Sequence, residues 1–493
     1  MSSSRTSFLS VVLPNAAWFT LPTMIQRAFG VLLLPVLTRY LSPTDYGVMA
    51  MVGLLATGVA VFADWGYGMG LMRNYFEHED EERKALLFTI FAAVSLSSAV
   101  LFGVAAVVLT FAARWLIADW QQSYLLLLYL QFITSVLNFP NQVIGAYLTV
   151  AQRVRAYISR TMLAYIIATV LQLVLLVGFD MGVLAIFIGT LVGAVLSLGW
   201  GVLLVRHELR PRFRWQHLRE AWAVGWSNLP MQSFQYFTRM GDRWVIQALM
   251  SLDALGLSQS GGACQRCLSQ LQSGVAAGVA AGQYADAGRK HAACRTQAAH
   301  QLLSGAQRAM GSGAVAVCPR SDCTVAAPDF HTAYVVVPFL LVGSLFQSVS
   351  AVPHTFLLYH KRLPVTVLAF GPAAAVQVGG ALLLVPLIGM VGAALASGLA
   401  YLTYTIIITV FALRRPEQRM QMAGGSDLLL LVAGTLVSLV GALPELGGFW
   451  EFVLFKALLF AIVTGIIFAL YRATLWPALL KLYARLRPVL RRV

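Results

Sequence analysis

Charge is what this sequence has least of. Asp, Glu, Lys and Arg together make 11% of its 493 residues, against 59% hydrophobic ones; soluble domains carry about a quarter charged residues. That scarcity excludes a soluble protein. Runs of about twenty apolar residues recur along almost the whole chain, each long enough to cross a bilayer as a helix. The alternating strands of a membrane barrel are missing, so the polar backbone has to be satisfied within helices. The expected fold class is an all-α polytopic membrane protein.

Other absences narrow the chemistry. There is no Walker-type glycine loop and no His-Glu-x-x-His pair, so neither ATP hydrolysis nor zinc hydrolysis is indicated. Any transport has to be facilitated or driven by an ion gradient. The longest inner connections, near 70–85 and 206–222, are too short for a soluble catalytic module. The expectation is a protein that is not an enzyme, with no cofactor and no metal at its site. The first residues, Met1 to Phe8, lead into neither a clear short hydrophobic core nor a small-residue cleavage site, so no removable signal is read.

Crossings are legible at about 12–36, 46–69, 86–111, 122–147, 157–179, 181–205 and 223–239, then at 332–359, 364–388, 390–413, 426–446 and 450–471. Basic residues outnumber acidic ones 35 to 20, which in a soluble chain would raise nucleic acid as a partner. Here their placement points elsewhere. Arg73, Arg83 and Lys84, Arg153 to Arg160, Arg206 to Arg219, Lys361 and Arg362, Arg414 to Arg419 and the basic tail all fall in one set of alternate connections. The other set holds Arg39, Arg114, Arg239, Arg243 and Lys456. The positive-inside rule then puts both termini in the cytoplasm, and an even number of crossings has to fit between 240 and 330.

The chain also carries signs of duplication. Leu41-Ser42-Pro43-Thr44-Asp45-Tyr46-Gly47 follows the first crossing, and Met250-Ser251-Leu252-Asp253-Ala254-Leu255-Gly256 follows the seventh, with Ser and Gly at the same spacing. Upstream, Leu21-Pro22 and Gln26-Arg27 are echoed by Leu229-Pro230, Gln235 and Arg239. Matching positions in two six-helix halves indicate parallel internal repeats, a common transporter plan.

These motifs carry a family resemblance. The run from Leu34 to Gly47 resembles the signature after the first helix of the polysaccharide transporter family. That family comprises the O-antigen and lipid-linked oligosaccharide flippases of the multidrug, oligosaccharidyl-lipid and polysaccharide exporter superfamily. Further matches are Ala63-Asp64-Trp65-Gly66-Tyr67-Gly68 with Arg73, Ala151-Gln152-Arg153 with Arg155-Ala156-Tyr157, and Pro386 to Ala394. The resemblance covers about 1–256 and 328–475. It implies a MATE-like fold of fourteen crossings, two six-helix bundles around a central cavity plus two extra helices. It also implies export of an undecaprenyl-pyrophosphate-linked glycan, an O-antigen or exopolysaccharide repeat unit, across the bacterial inner membrane. The implied partners are the lipid-linked glycan, membrane lipid, and a polysaccharide polymerase with its chain-length machinery. On this basis 1–205 is the N-terminal half, 206–413 the C-terminal half and 414–472 the two extra helices. Residues 473–493 form a basic amphipathic tail on the inner membrane surface.

A charge at mid-bilayer costs about 2.5–3.5 kcal/mol on insertion scales, so it faces a cavity or a partner. Arg27 lies near the middle of the first crossing and is the leading site residue. Arg239, Asp242 and Arg243 cluster where the seventh crossing meets the outer surface, and Asp64 lies near the inner end of the second. Arg27, with Arg239 or Arg243, is read as binding the carrier pyrophosphate, since guanidinium forks suit phosphate oxygens. Asp64 or Asp242 is read as a protonation switch or an ion-pair partner. Gln26, Asn138, Asn141, Gln142 and Gln377 either line a sugar path or bond between helices. Two rival functions predict different features. A multidrug or cation antiporter wants an acidic cavity, and a glycan polymerase or glycosyltransferase wants a large loop with acid and base residues.

Residues 255–327 stand apart. They hold one aromatic, Tyr284, no isoleucine, and all five cysteines: Cys264, Cys267, Cys294, Cys318 and Cys323. One reading is a flexible Ala-, Gly- and Gln-rich insert, and another takes Cys264, Cys267, Cys318 and Cys323 as a zinc site. A third has more support: translation out of frame. Reading Cys318 to Val325 one base later permits A-R-E-V-I-V-L-L, apolar and helix-like, and the same offset at Gln270 to Ala277 permits S-F-S-L-A-W-P-P, which resembles the family's ninth-helix region. Such a segment removes two crossings while keeping parity, leaves the end of the eighth helix and the ninth unformed, and assigns the flippase reading to the intact, in-frame protein.

Overall fold

The structure is a computed structural model. It describes residues 35–63, 80–116, 124–209, 211–226, 229–259 and 363–413, with isolated positions between 22 and 33, between 67 and 78, at 122, and between 336 and 357. The expected crossings at 426–446 and 450–471, the basic tail, most of the crossing at 12–36 and the stretch from 260 to 327 lie outside the described residues. Among the described residues there is no strand.

Among the described residues nine helices are laid out: α1 (Pro43–Ala63), α2 (Asp80–Leu116), α3 (Tyr124–Val150), α4 (Val154–Leu173, continued by a π turn at Val174–Gly178), α5 (Val183–Val205), α6 (Trp215–Trp226), α7 (Leu229–Leu249), α8 (Leu363–Ile388) and α9 (Met390–Leu413). Among the described residues six helical stretches are long and apolar enough to cross a membrane. Their outer faces are apolar too, with Phe111 71% and Leu387 76% exposed, as hydrocarbon surroundings require. At 37 residues, α2 extends about 55 Å, well past a hydrocarbon core of about 30 Å. The charges of its first turn and a half, Glu81 to Lys84, lie at one end of that length.

Polar cross-links in the N-terminal half are few and well made. Arg160 of α4 donates from Nη1 to the Asn141 carbonyl at 2.9 Å and to Asn141 Oδ1 at 2.8 Å. Ser197 of α5 donates to the same Oδ1 at 3.1 Å, so one asparagine ties three helices. The turn from α3 to α4 uses Gln152 in the left-handed region, φ 55°. Arg153 N–H closes it on the Leu148 carbonyl at 2.9 Å, the bond of a Schellman cap. Arg153 then pairs with Glu208 beyond α5.

The basic end of the bundle gathers the expected inner connections. Arg214 bonds Glu82 at 2.7 Å, and Arg212 lies 3.8 Å from Glu81. The Arg214 backbone N–H also reaches Thr89 Oγ1 at 3.1 Å. These contacts lay α6 against the start of α2. Its opposite face exposes Trp215, Trp222 and Trp226, spaced to share one stripe, as in a helix lying in the membrane interface.

The opposite end is where the two repeat motifs meet. Ser42 caps α1, receiving the Asp45 N–H at 3.2 Å while its own N–H donates to Asp45 Oδ2 at 2.9 Å; Pro43 occupies the first helical position, where no N–H is needed. Ser251 likewise receives the Ala254 N–H at 3.3 Å and opens the helical residues 252–259. Thr44 donates to Asp253 Oδ1 at 2.6 Å. A methyl group on Gly47 would overlap the Leu252 carbonyl, and one on Gly256 would overlap that of Pro43. Only hydrogen in place of a side chain lets these backbones touch, and the contact is reciprocal, as two related motifs demand.

Candidate functional site

Helix α7 differs from its neighbours. It runs 21 residues with Gln232, Gln235, Arg239, Asp242, Arg243 and Gln247 along it, whereas α5 and α8 are apolar all round. The sequence reading ended the seventh crossing at 239 and placed Arg239, Asp242 and Arg243 at the outer surface. The structure differs: the helix starts after Trp226 and continues to Leu249. The polar stripe of an amphipathic helix had been taken for its end, because a hydropathy window averages over both faces. At 1.5 Å per residue, Arg239 sits about 15 Å along α7, at its middle, and Asp242 and Arg243 one turn further.

Its two faces have different neighbours. On one, Gly241 lies against Gln377 and Val378 of α8, with Thr238 and Asp242 buried beside it. On the other, the Tyr236 hydroxyl donates to the Leu54 carbonyl of α1 at 3.0 Å and accepts from Trp244 Nε1 at 2.8 Å. Gly58 of α1 makes room for that hydroxyl. Residues 236, 239 and 243 follow i, i+3, i+7 spacing and share this second face. So α7 is the seam between the α1–α5 half and the α8–α9 half, and its cations lie on the seam side. Arg239 is exposed and Arg243 partly so.

Behind the cations is a polar patch within the C-terminal half. Asp242 is 8% exposed. Its Oδ1 and Gln377 Oε1 are buried with no hydrogen-bond partner among the described residues, as are both amide atoms of Gln247, which follows Tyr236 and Arg243 along the other face. Gln377 Nε2 donates to Ser397 Oγ at 3.0 Å. His354 Nδ1 lies 2.5 Å from the Tyr404 hydroxyl, whose ring stacks on Phe370. Buried polar atoms left unmatched are uncommon and costly.

Arg27 and Asp64 lie outside the described residues. Beside the first, Gln26 donates from its amide to the Thr161 carbonyl at 3.4 Å and accepts from the Tyr165 hydroxyl on its own carbonyl at 3.0 Å. The structure brings Arg239, Asp242 and Arg243 together on one helix. Gln26, Asn141 and Gln377 bond between helices, the role the sequence reading favoured for such amides. Reading the sequence missed Tyr236 and Gln247 as members of the α7 stripe, and Arg160, assigned to an inner loop, as a buried membrane arginine. The stripe was visible as the spacing 232, 236, 239, 243 once the helix is allowed to reach 249.

Comparison with solved structures places the architecture. The lipid II flippase MurJ in its inward closed conformation aligns with a TM-score of 0.64 at 13% identity, covering 93% of this chain and 99% of that one. An outward-facing multidrug resistance MATE family transporter of the MOP superfamily aligns at 0.57 and 14% identity, over 80% of this chain and 94% of that one. MATE in complex with MaL6 aligns at 0.59 and 13% identity, over 88% and 100%. The fold is therefore MATE-like, an all-α membrane bundle. No curated protein matches the chain by sequence. Residues 36–305, more than half of the chain, match the family described as Polysaccharide biosynthesis protein, and the chain belongs to that family.

Proposed function

We propose that this protein exports an undecaprenyl-pyrophosphate-linked oligosaccharide, an O-antigen or exopolysaccharide repeat unit, across the bacterial inner membrane. One observation carries the reading: Arg239 and Arg243 stand at mid-helix on the seam face of α7. Two guanidinium groups at membrane depth suit a diphosphate, whose oxygens accept paired N–H bonds. Membership of a polysaccharide biosynthesis family and a fold shared with a lipid II flippase support it. Asp242, buried one turn away, balances the cations as an ion-pair partner or takes up a proton. Arg27 and Asp64 are assigned the same two roles in the N-terminal half. The basic end faces the cytoplasm by the positive-inside rule, which orients both termini inward, and a polymerase with its chain-length machinery receives the product outside. The division into halves at 1–205 and 206–413, with two extra helices and a basic tail, belongs to this proposal.

The test replaces Arg239 and Arg243 together by alanine and follows surface glycan in cells. The assay uses the chain as written and its counterpart read in frame through 255–327. Expected is loss of surface glycan, lipid-linked precursor building up on the inner leaflet, and normal protein in the membrane. Wild-type export by the double variant sinks the assignment. Loss of drug resistance on deletion, with surface glycan intact, would favour the antiporter reading. Chain extension by purified protein would favour the polymerase or glycosyltransferase one.

A further inference from the structure

At the basic end, His78, from the connection before α2, meets His217 and Glu220 of α6. One ligand atom from each of the three lies within 4.8 Å of the others. The two imidazole rings stand edge to face with centroids 4.8 Å apart. Glu220 Oε2 is 3.9 Å from His217 Nδ1, while Glu220 Oε1 accepts from Gln216 at 3.1 Å. His217 is 3% exposed, and neither of its ring nitrogens has a hydrogen-bond partner among the described residues. A buried imidazole with both nitrogens unmatched is unfavourable, and the groups around it are metal ligands by type.

We infer that His78, His217 and Glu220 bind a divalent transition metal, and that the ion fastens α6 to the start of α2. Two imidazoles and one carboxylate form a borderline donor set that suits Zn²⁺ and leaves a fourth position for water. Bonds of about 2.0–2.1 Å in a tetrahedron put ligand atoms about 3.3 Å apart. The present spacing closes to that by movement of His78 and Glu220, both less buried than His217. The nearby cation Arg214 is already matched by Glu82 at 2.7 Å, so it does not turn the site against a positive ion. Because α6 joins the end of α5 to the start of α7, a metal here anchors the connection between the two halves on the N-terminal one. The inference is independent of what the protein carries.

The experiment titrates Co²⁺ into the full-length protein in detergent after chelator treatment and removal of the chelator. Expected is one bound ion per chain with the visible bands of a tetrahedral nitrogen and oxygen site and no thiolate charge-transfer band. His78→Asn and Glu220→Gln should each weaken binding at least about 10-fold, the scale of losing metal-site support. His217→Ala should abolish it. If His217→Ala fails to fold, the two less buried variants still decide the matter. A thiolate band would assign the metal to the cysteines between 264 and 323 and overturn the inference. Absence of the visible bands, or affinity unchanged in both His78→Asn and Glu220→Gln, overturns it equally.

Discussion

Two arginines inside the bundle, Arg160 of α4 and Arg239 of α7, have the same chemistry and opposite surroundings. Arg160 is 7% exposed, donates to both oxygens of Asn141, and packs against Gly145 and Gly201. Its Nη1 is solvated by protein, neutral oxygens standing where water would, while its buried Nε has no hydrogen-bond partner among the described residues. Arg239 is exposed on the seam between halves, beside Arg243 and one turn from a buried carboxylate. A membrane charge is therefore not functional by depth alone. What separates the two is whether the protein has already supplied its hydrogen-bond partners.

The largest expected effects test that contrast directly. Arg239→Ala with Arg243→Ala should abolish glycan export while leaving the thermal transition of the purified protein within about 1 °C. Arg160→Leu should do the reverse in kind. It removes two charge-assisted hydrogen bonds, worth about 1.5–3 kcal/mol each when made by an ion, so unfolding should come several degrees earlier and the membrane level should fall. If export per molecule fell in Arg160→Leu at unchanged stability, the contrast between glue and site would fail.

A second comparison sets the two ends of the bundle against each other. At the basic end α6 is held by ion pairs in water, which are worth about 0–1 kcal/mol each and are screened by salt. At the opposite end Gly47 and Gly256 bring two backbones into contact. Gly256→Val should wedge that end apart. With cysteines at 44 and 253 in a background free of the native cysteines, cross-linking should be strong in the parent and absent with Gly256→Val. Arg214→Ala, breaking only the bridge to Glu82, should leave cross-linking unchanged and shift stability by no more than about 1 kcal/mol. Equal cross-linking with valine at 256 would mean the two motifs do not need their close approach.

Much of this was legible in the sequence. Long apolar runs located α1 to α5, α8 and α9 with ends up to six residues off, because a bilayer demands about twenty apolar positions in a row. The repeat of Ser and Gly in 42–47 and 251–256 was legible as a sign of duplication, and the structure adds that both serines cap helix starts and that the two motifs touch. The helix carrying Arg239, Asp242 and Arg243 runs ten residues past the expected end at 239, because these charges lower the average over a window that mixes both faces. His78, His217 and Glu220 were invisible as a group: they come from two connections 140 residues apart, and only the packing of α6 on α2 joins them. The out-of-frame reading of 255–327 bears mostly on residues beyond those described, though Leu255 and Gly256 are buried in the described helix. Sequencing the coding DNA across 250–335 from an independent isolate decides it. A continuous frame encoding aromatic-rich helices supports the displaced frame, and DNA matching the chain as written removes it.

The smallest expected effect lies in two turns of opposite halves. Gly389, between α8 and α9, has φ 60°, and Gln152, between α3 and α4, has φ 55°. A side chain in this region crowds the following carbonyl and costs about 1–2 kcal/mol, which glycine avoids. Gly389→Ala should therefore destabilise by about 1 kcal/mol. Gln152→Gly should stabilise by less than that strain, for two reasons. Glycine is freer in the unfolded chain, and the Gln152 side-chain amide donates to the Thr149 carbonyl at 3.1 Å, a bond the variant loses. Thermal melts of the two variants against the parent give the sign of each. A lower transition for Gln152→Gly would show that the amide bond to Thr149 and the lost chain entropy outweigh the strain, and that this turn is held by its side chain where its counterpart is held by the lack of one.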